Sequence, residues 1–403
     1  RFFSVNGKTD GGTGRDMATQ VLVGHLPMLL HEAPNDVLVV GLVVLYNTVG
    51  AVLGSLTAGF ALIALFGIQN SFQLLGTLNV LLGAILCMTF IEAAPRRCAQ
   101  VGAVCVFAVT LAFLNPKWDQ GLMNSGVYIY ASKYIEAGGI KNVLAEEKII
   151  KVIEGMEATV AIHESNDGQT RFFSVNGKTD GGNGHDMATQ VLVGHLPMLL
   201  HESPRDVLVV GLGTGITLNG LSCHSTDNIN CVEISSEVVE ASSYFNDAND
   251  NALDDSKTTL LVNDGRNLRL TEDKLYDVIV SEPSNPWQSG NANLFTDEFY
   301  QLAASRLKVG GLFTQWIGIY DITPENLRIA VNTLLKNFPE ALAFINGSDL
   351  IIVGAQHELK FDYLRLRKRM NSPGIREIMA RIGVDSPGSL ITKHYLYSDQ
   401  RLR

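Results

Sequence analysis

Four groups of residues in the second half of this 403-residue chain have the types and spacing to hold a nucleoside and act on it. Residues 206–217 read DVLVVGLGTGIT, a short apolar run of the kind buried in a parallel sheet, followed at once by Gly211, Gly213 and Gly215. Glycines there can take positive φ and leave backbone amides open to a ligand at a helix start. Glu233 ends the next apolar run about twenty residues on, the spacing at which a carboxylate meets a ribose diol. The turn runs GxGxG, with Ile216 where a dinucleotide turn has its third glycine. A nicotinamide cofactor is therefore disfavoured, and a nucleoside of the S-adenosylmethionine type fits better. Asp264-Gly265 and Glu282 follow two further apolar runs. An acid after the third strand can accept from an adenine amino group, and one after the fourth sits where a reacting group is held. Singly, each reads equally as a helix cap or a loop charge; jointly they define one pocket.

To hold those groups together the chain must alternate strands and helices. Strands are expected at 207–210, 229–234, 258–262, 276–280 and 312–316, with a final pair at 341–345 and 349–353; helices fall at 187–200, 236–249, 297–307 and 324–337. That order predicts a doubly wound parallel sheet with an antiparallel edge pair, binding its ligand at the carboxyl ends of the strands. Ahead of it, 152–162 and 170–175 read as a small antiparallel hairpin unit around the Asn166-Asp167-Gly168 turn, and Asn176-Gly177 makes the next turn. Pro283 and Pro286 stiffen the loop after Glu282, and Trp287 walls the pocket or packs.

A net charge of −10 and the lack of any nucleic-acid-binding motif argue against a nucleic-acid partner. The mean hydropathy of +0.15 is high, with the excess in residues 43–114. Stretches 43–68 and 72–91 are each long enough to cross a bilayer as a helix, which takes about 20 residues, and Gly50, Gly54, Ser55 and Gly59 offer a smooth face for helix packing. A third stretch, 101–114, is marginal. Arg96 and Arg97 mark the loop before it as cytoplasmic, so a cytoplasmic catalytic domain requires that this stretch does not cross or that further helices precede it. Residues 115–150 read as a linker with Trp118, Tyr128, Tyr130 and Tyr134 as interfacial aromatics. Residues 357–403 read as a basic helical tail, a solvated face in preference to a membrane-surface helix. The five cysteines, Cys87, Cys98, Cys105, Cys223 and Cys231, lack metal-ligand spacing and read as reduced thiols; no metal is expected.

Residues 1–42 repeat 171–212 with four differences: Thr13 for Asn183, Arg15 for His185, Ala33 for Ser203 and Asn35 for Arg205. The first copy stops just before the GTG that completes the nucleoside turn, so it reads as non-functional. A recent duplication and a join within the sequence both produce such a repeat; the join is preferred because it halves a strand–turn–helix unit. With no initiator Met, the sequence reads as a fragment.

GLGTG, the VEIS around Glu233, NDG around Asp264, YDVIVSEPSNPW and GGLFTQW, preceded by SVNGKTD and TQVLVGHLPMLLH, resemble the spermidine synthase family, in the bacterial form fused behind a multi-helix membrane region. The resemblance covers roughly residues 43–355. It implies a seven-stranded Rossmann-like domain of the class I S-adenosylmethionine methyltransferase type over 201–356, with the hairpin and first helix at 151–200, transmembrane helices at 43–114, and an inner-membrane location with the catalytic domain in the cytoplasm. It further implies aminopropyl transfer from decarboxylated S-adenosylmethionine to an amine such as putrescine. Glu233 is then the ribose ligand, Asp264 and Gly265 adenine ligands, and Glu282 the catalytic acid–base group. Gln190, Asp180, His195 and Asn285 are the substrate-side candidates, with His195 read equally as a packed helix residue. Lipid around 43–114 and a second copy in a homodimer are the other expected partners. The chain departs from the family where DSSDP becomes Glu282-Pro-Ser-Asn285-Pro, where the acid of the glycine turn becomes Thr214, and where the tyrosine before the glutamine becomes Thr189. Two carboxylates suited to cationic amines are thereby lost. Methyl transfer from intact S-adenosylmethionine and an inactive nucleoside-binding domain regulating the membrane part are the alternatives.

Overall fold

A computed structural model describes residues 2–5, 8–12, 34–90, 95–114, 116–267, 274–288 and 290–398. Two compact units divide the chain at 113/114.

In the first unit, β1 (Phe2–Val5) and β2 (Lys8–Gly12) form an antiparallel hairpin. α1 (Pro34–Thr57) then runs through a π turn at Ala58–Leu62 into α2 (Ile63–Phe90). Within this run Gly41–Thr89 has a hydropathy of 2.1 and an unburied surface, so by length and composition it is able to cross a membrane. The backbone leaves helical geometry at Gly67 (φ 76°, ψ 171°), close to the expected break between the two apolar stretches. A side chain built at Gly50, Gly54 or Gly59 would meet nothing within 4 Å, so the small-residue face has no partner among the described residues. α3 (Pro95–Leu114) contains the marginal third stretch.

The helix begins at Pro34, nine residues before the expected boundary at 43, and takes in a segment that is a strand elsewhere. Residues 36–42 and 206–212 are both DVLVVGL. The second copy forms β7 (Asp206–Val210), whose backbone groups are taken by a strand on each side. The first has no such neighbours among the described residues and runs into apolar sequence, so it bonds its own backbone as a helix. The reading of residues 13–33 as a copy of the hairpin–helix segment falls outside the described residues.

The second unit opens with a correction. Residues 116–150 of the stretch 115–150 expected as a linker form short helices and the start of a strand, packed into the domain. On α4 (Val127–Glu136), the Tyr130 hydroxyl accepts from Thr179 N at 3.1 Å and the Tyr128 hydroxyl donates to Asn176 O at 3.3 Å, while buried Tyr134 bonds Ser125 O. Tyr130 thus serves the strand at Lys178–Gly182, Tyr128 the turn before it and Tyr134 the start of its own helix. The hairpin unit is a four-stranded antiparallel sheet, β3 (Glu147–Glu154), β4 (Thr159–Ser165), β5 (Arg171–Val175) and β6 (Lys178–Gly182), in that order.

α5 (Met187–Leu200) leads into the main sheet. After β7 come α6 (Ile216–Ser222), β8 (Asn228–Glu233), α7 (Ser236–Ser242), β9 (Thr258–Val262), β10 (Tyr276–Ser281), α8 (Asp297–Ser305), β11 (Leu307–Gly318), α9 (Pro324–Asn337), β12 (Glu340–Asn346) and β13 (Asp349–Ala355). The helix expected at 236–249 breaks into α7 and two single turns. A short edge strand, β14 (Tyr395–Ser398), joins the seven expected strands in the order β14-β12-β13-β11-β10-β7-β8-β9. β11 to β9 are parallel, while β13, β12 and β14 add antiparallel at the other edge. Alternate residues of β7 face the two layers: Val207 and Val209 pack with α5 and α6, Leu208 and Val210 with α8 and α9.

The basic tail is also part of the fold. α10 (Tyr363–Met370), α11 (Pro373–Arg381) and α12 (Pro387–His394) bury Leu366, Met379 and Leu390 against the α5 side of the sheet. Arg369 donates to Met198 O at 2.7 Å and to His201 O and Glu202 O, and Arg365 donates to Leu200 O at 3.1 Å. The two arginines satisfy the carbonyls that α5 leaves open at its C-terminus.

Candidate active site

The glycine turn is shaped by contacts that only glycine permits. Gly211 lies at φ +100°, and a side chain there would come within 2.6 Å of Glu282 O. β7 therefore ends pressed against the loop that follows β10, where Glu282 N donates to Val210 O at 2.9 Å. Gly213, at φ +54°, has open space around it, and Gly215 (φ +80°) rests on Asn249, whose amide donates to Thr214 O at 2.8 Å.

Glu233, the last residue of β8 and only 8% exposed, accepts from Leu212 N and Ser235 N, both at 2.9 Å. Burial raises its pKa, and those backbone donors oppose the rise. Each carboxylate oxygen keeps acceptor capacity for a diol beside the turn. Asp264, past the end of β9, accepts from Arg266 N at 2.9 Å. A side chain at Gly265 would lie 2.6 Å from Val210 Cγ1, which keeps this loop close to the end of β7.

Glu282 follows β10 on the face shared with α5 and α6. Burial raises its carboxyl to about 8; the Thr217 hydroxyl pulls it down, and the charge of Asp349 pushes it further up. Asp349 opens β13, which runs antiparallel to β11 and so returns an acid to the same end of the sheet. Its oxygens accept from the Thr189 hydroxyl at 2.6 Å and Trp316 Nε1 at 3.1 Å, and Asn346 donates to Thr189 at 2.9 Å. Asp186, at the start of α5, makes no side-chain capping bond; burial and then the charge of Asp349 raise its pKa, as burial raises that of Asp349.

The glycines, Glu233, Asp264-Gly265, Glu282, Asp180 and Asn285 all lie on elements that meet the carboxyl end of the sheet. Gln190 braces this group: its Oε1 takes the Thr214 hydroxyl and its Nε2 donates to Gly182 O at 2.9 Å. Asn285 is fully buried, with Oδ1 accepting from Tyr320 at 2.9 Å and Nδ2 unpartnered. His195 is not brought to the group. It is fully buried in α5 with Nδ1 2.9 Å from His224 Nε2, and burial lowers its pKa to about 4, so the structure places it as a packed helix residue.

Sequence reasoning missed Lys178. This fully buried lysine of β6 donates to Ser284 Oγ at 3.0 Å, Thr179 O at 3.2 Å and Asp180 Oδ1, with its ammonium 5.8 Å from the Tyr320 ring centre. The sequence carried no signal for it, because a lysine on a short edge strand reads as solvated by default. Asp186, Asp349, Ser284 and Tyr320 were missed because they are brought in by tertiary contacts far apart in sequence.

An open sheet with a parallel core, a glycine turn after its first strand and acids after the next three defines a Rossmann-like domain of the methyltransferase type. Residues 186–345 match the family model for the spermine/spermidine synthase domain. Among curated relatives, the polyamine aminopropyltransferase of Serratia proteamaculans is 36% identical over 137 residues, 34% of this chain and 46% of that protein. Polyamine aminopropyltransferase 1 of Pseudomonas aeruginosa is 28% identical over 202 residues, 47% of this chain and 68% of that protein. The chain thus spans about half the length of several curated relatives that it matches. A spermidine synthase solved with the transition-state analogue AdoDATO shares the fold at a TM-score of 0.52 and 21% identity, covering 61% of this chain and 87% of that one. The Thermotoga maritima spermidine synthase does so at 0.50 and 22%, with the same coverage. Residues 186–345 are therefore similar to the spermine/spermidine synthase domain.

Proposed function

We propose that the chain transfers an aminopropyl group from decarboxylated S-adenosylmethionine to an amine. The observation that carries this reading is Glu282: an acid at the end of β10, facing α6, with its pKa raised to about 8. In the transfer, the lone pair of the acceptor nitrogen attacks the carbon beside the sulfonium, the C–S bond breaks, and its electrons leave on methylthioadenosine. The nitrogen, now bearing an extra proton, gives it to Glu282. An acid near the working pH suits that task better than an ordinary glutamate, and such proton transfer supplies about 10²- to 10⁴-fold in rate. Holding the two reactants in line contributes roughly 7–11 kcal/mol. Glu233 would fix the ribose and Asp264 the adenine, leaving the sulfonium arm between the glycine turn and the Glu282 loop.

The curated relatives named as polyamine aminopropyltransferases and the neighbour with AdoDATO support this reading. The acids around Glu282 argue against methyl transfer, since the carboxylate of intact S-adenosylmethionine would enter a cluster of like charge. The apolar run Gly41–Thr89 supports attachment to a membrane. The test is to incubate the full chain in detergent with decarboxylated S-adenosylmethionine and a panel of amines. Methylthioadenosine should form only when an acceptor is present; S-adenosylhomocysteine formed from intact S-adenosylmethionine would overturn the reading.

A further inference from the structure

Asp180 has one oxygen fully engaged and the other bare. Its side chain is 10% exposed. Oδ1 accepts from the Ser284 hydroxyl at 2.5 Å and from the Lys178 ammonium, whereas Oδ2 is buried without a hydrogen-bond partner. Leaving such an acceptor unsatisfied costs about 1–3 kcal/mol, and more for a charged group. A donor arriving with the substrate would remove that cost.

The surroundings indicate which donor. Next in sequence, Gly181 lies against the glycine turn: a side chain built on it would be 3.2 Å from Thr214 Cγ2 and 3.3 Å from Gln190 Oε1. Ser284 belongs to the loop that carries Glu282. The charge of Asp180 acts on Glu233 and on Asp186. Asp180 thus bonds the loop that carries the reacting acid and adjoins the residue that rests on the glycine turn, the two segments between which the arm of the sulfonium would lie. Thr214 brings no charge to that interval, and its hydroxyl is taken by Gln190.

On the aminopropyl-transfer reading, we propose that Asp180 anchors the terminal ammonium of the aminopropyl arm, supplying from edge strand β6 the carboxylate that the glycine turn of this chain lacks. Its charge would also repel the carboxylate that S-adenosylmethionine carries beside the same ammonium, which favours the decarboxylated nucleoside. Lys178, held also by Ser284 and Thr179 O, fixes the orientation of the carboxylate so that Oδ2 remains presented.

The experiment is calorimetric titration of the full chain in detergent with decarboxylated S-adenosylmethionine, S-adenosylmethionine and methylthioadenosine. Wild type is compared with Asp180→Asn and with Asp180→Asn/Lys178→Met, which removes the ion pair as a unit and leaves no buried ammonium unpaired. Affinity for the decarboxylated nucleoside should fall about 10- to 100-fold in both variants. Methylthioadenosine, which has no ammonium, should bind all three proteins alike. Equal losses for both ligands, or no loss for the decarboxylated one, would overturn the role of Asp180. A wild-type protein that prefers S-adenosylmethionine would instead remove the aminopropyl-transfer reading, and the proposal with it, whatever the variants do.

Discussion

Glu282 is where burial is converted into reactivity. An acid with a pKa of about 8 is mostly protonated at neutral pH and acts as a base only once ionised. Accordingly, kcat/KM should rise with pH and level off past about 8, and Glu282→Gln should lower kcat by about 10²- to 10⁴-fold with little change in nucleoside affinity. Steady-state assays across pH check both. The same shift carries a stability signature of known sign. The folded chain keeps a proton that the unfolded chain has released, so stability is fully present below the ordinary value of 4.5 and declines as pH rises through about 8. Thermal melts should show Glu282→Gln gaining a few degrees on wild type above pH 8 and nothing below pH 4.5.

Elements place these residues through close approaches that tolerate little change. Gly211→Ala would bring a methyl group against Glu282 O and force an alanine to φ +100°. It should cost roughly 1–3 kcal/mol and abolish nucleoside binding, read by melting and calorimetry. Arg369→Ala should cost a similar amount by opening the carbonyl end of α5; an unchanged melting temperature would contradict that capping role. The parallel strands were legible because their apolar runs, turns and acids agree at every level, which is why β7, β8, β9 and β10 fall where expected. What was not legible is tertiary. DVLVVGL is a strand only where neighbours supply its hydrogen bonds, Tyr128 and Tyr130 look interfacial until β6 and its turn claim them, and the arginines of α10 look solvated until the open end of α5 takes them. In the site, the glycine turn and the strand-end acids were readable from spacing, while Lys178 and Asp349 depended on which loops meet.

At the scale of the molecule, the chain combines an apolar helical run in one unit with a stretch similar to the spermine/spermidine synthase domain in the other. If the run anchors the chain, the protein should stay with membranes through high salt and alkaline carbonate; release by salt alone would contradict membrane insertion. The central claim is one pocket in which a sulfonium nucleoside and an amine meet at Glu282. The most direct measurement is an experimental structure of the full chain with methylthioadenosine and a diamine. The ribose should lie on Glu233, the adenine at Asp264 and one amine nitrogen within about 3 Å of Glu282. A nucleoside bound away from the glycine turn, or an amine that approaches no oxygen of Glu282, would contradict it.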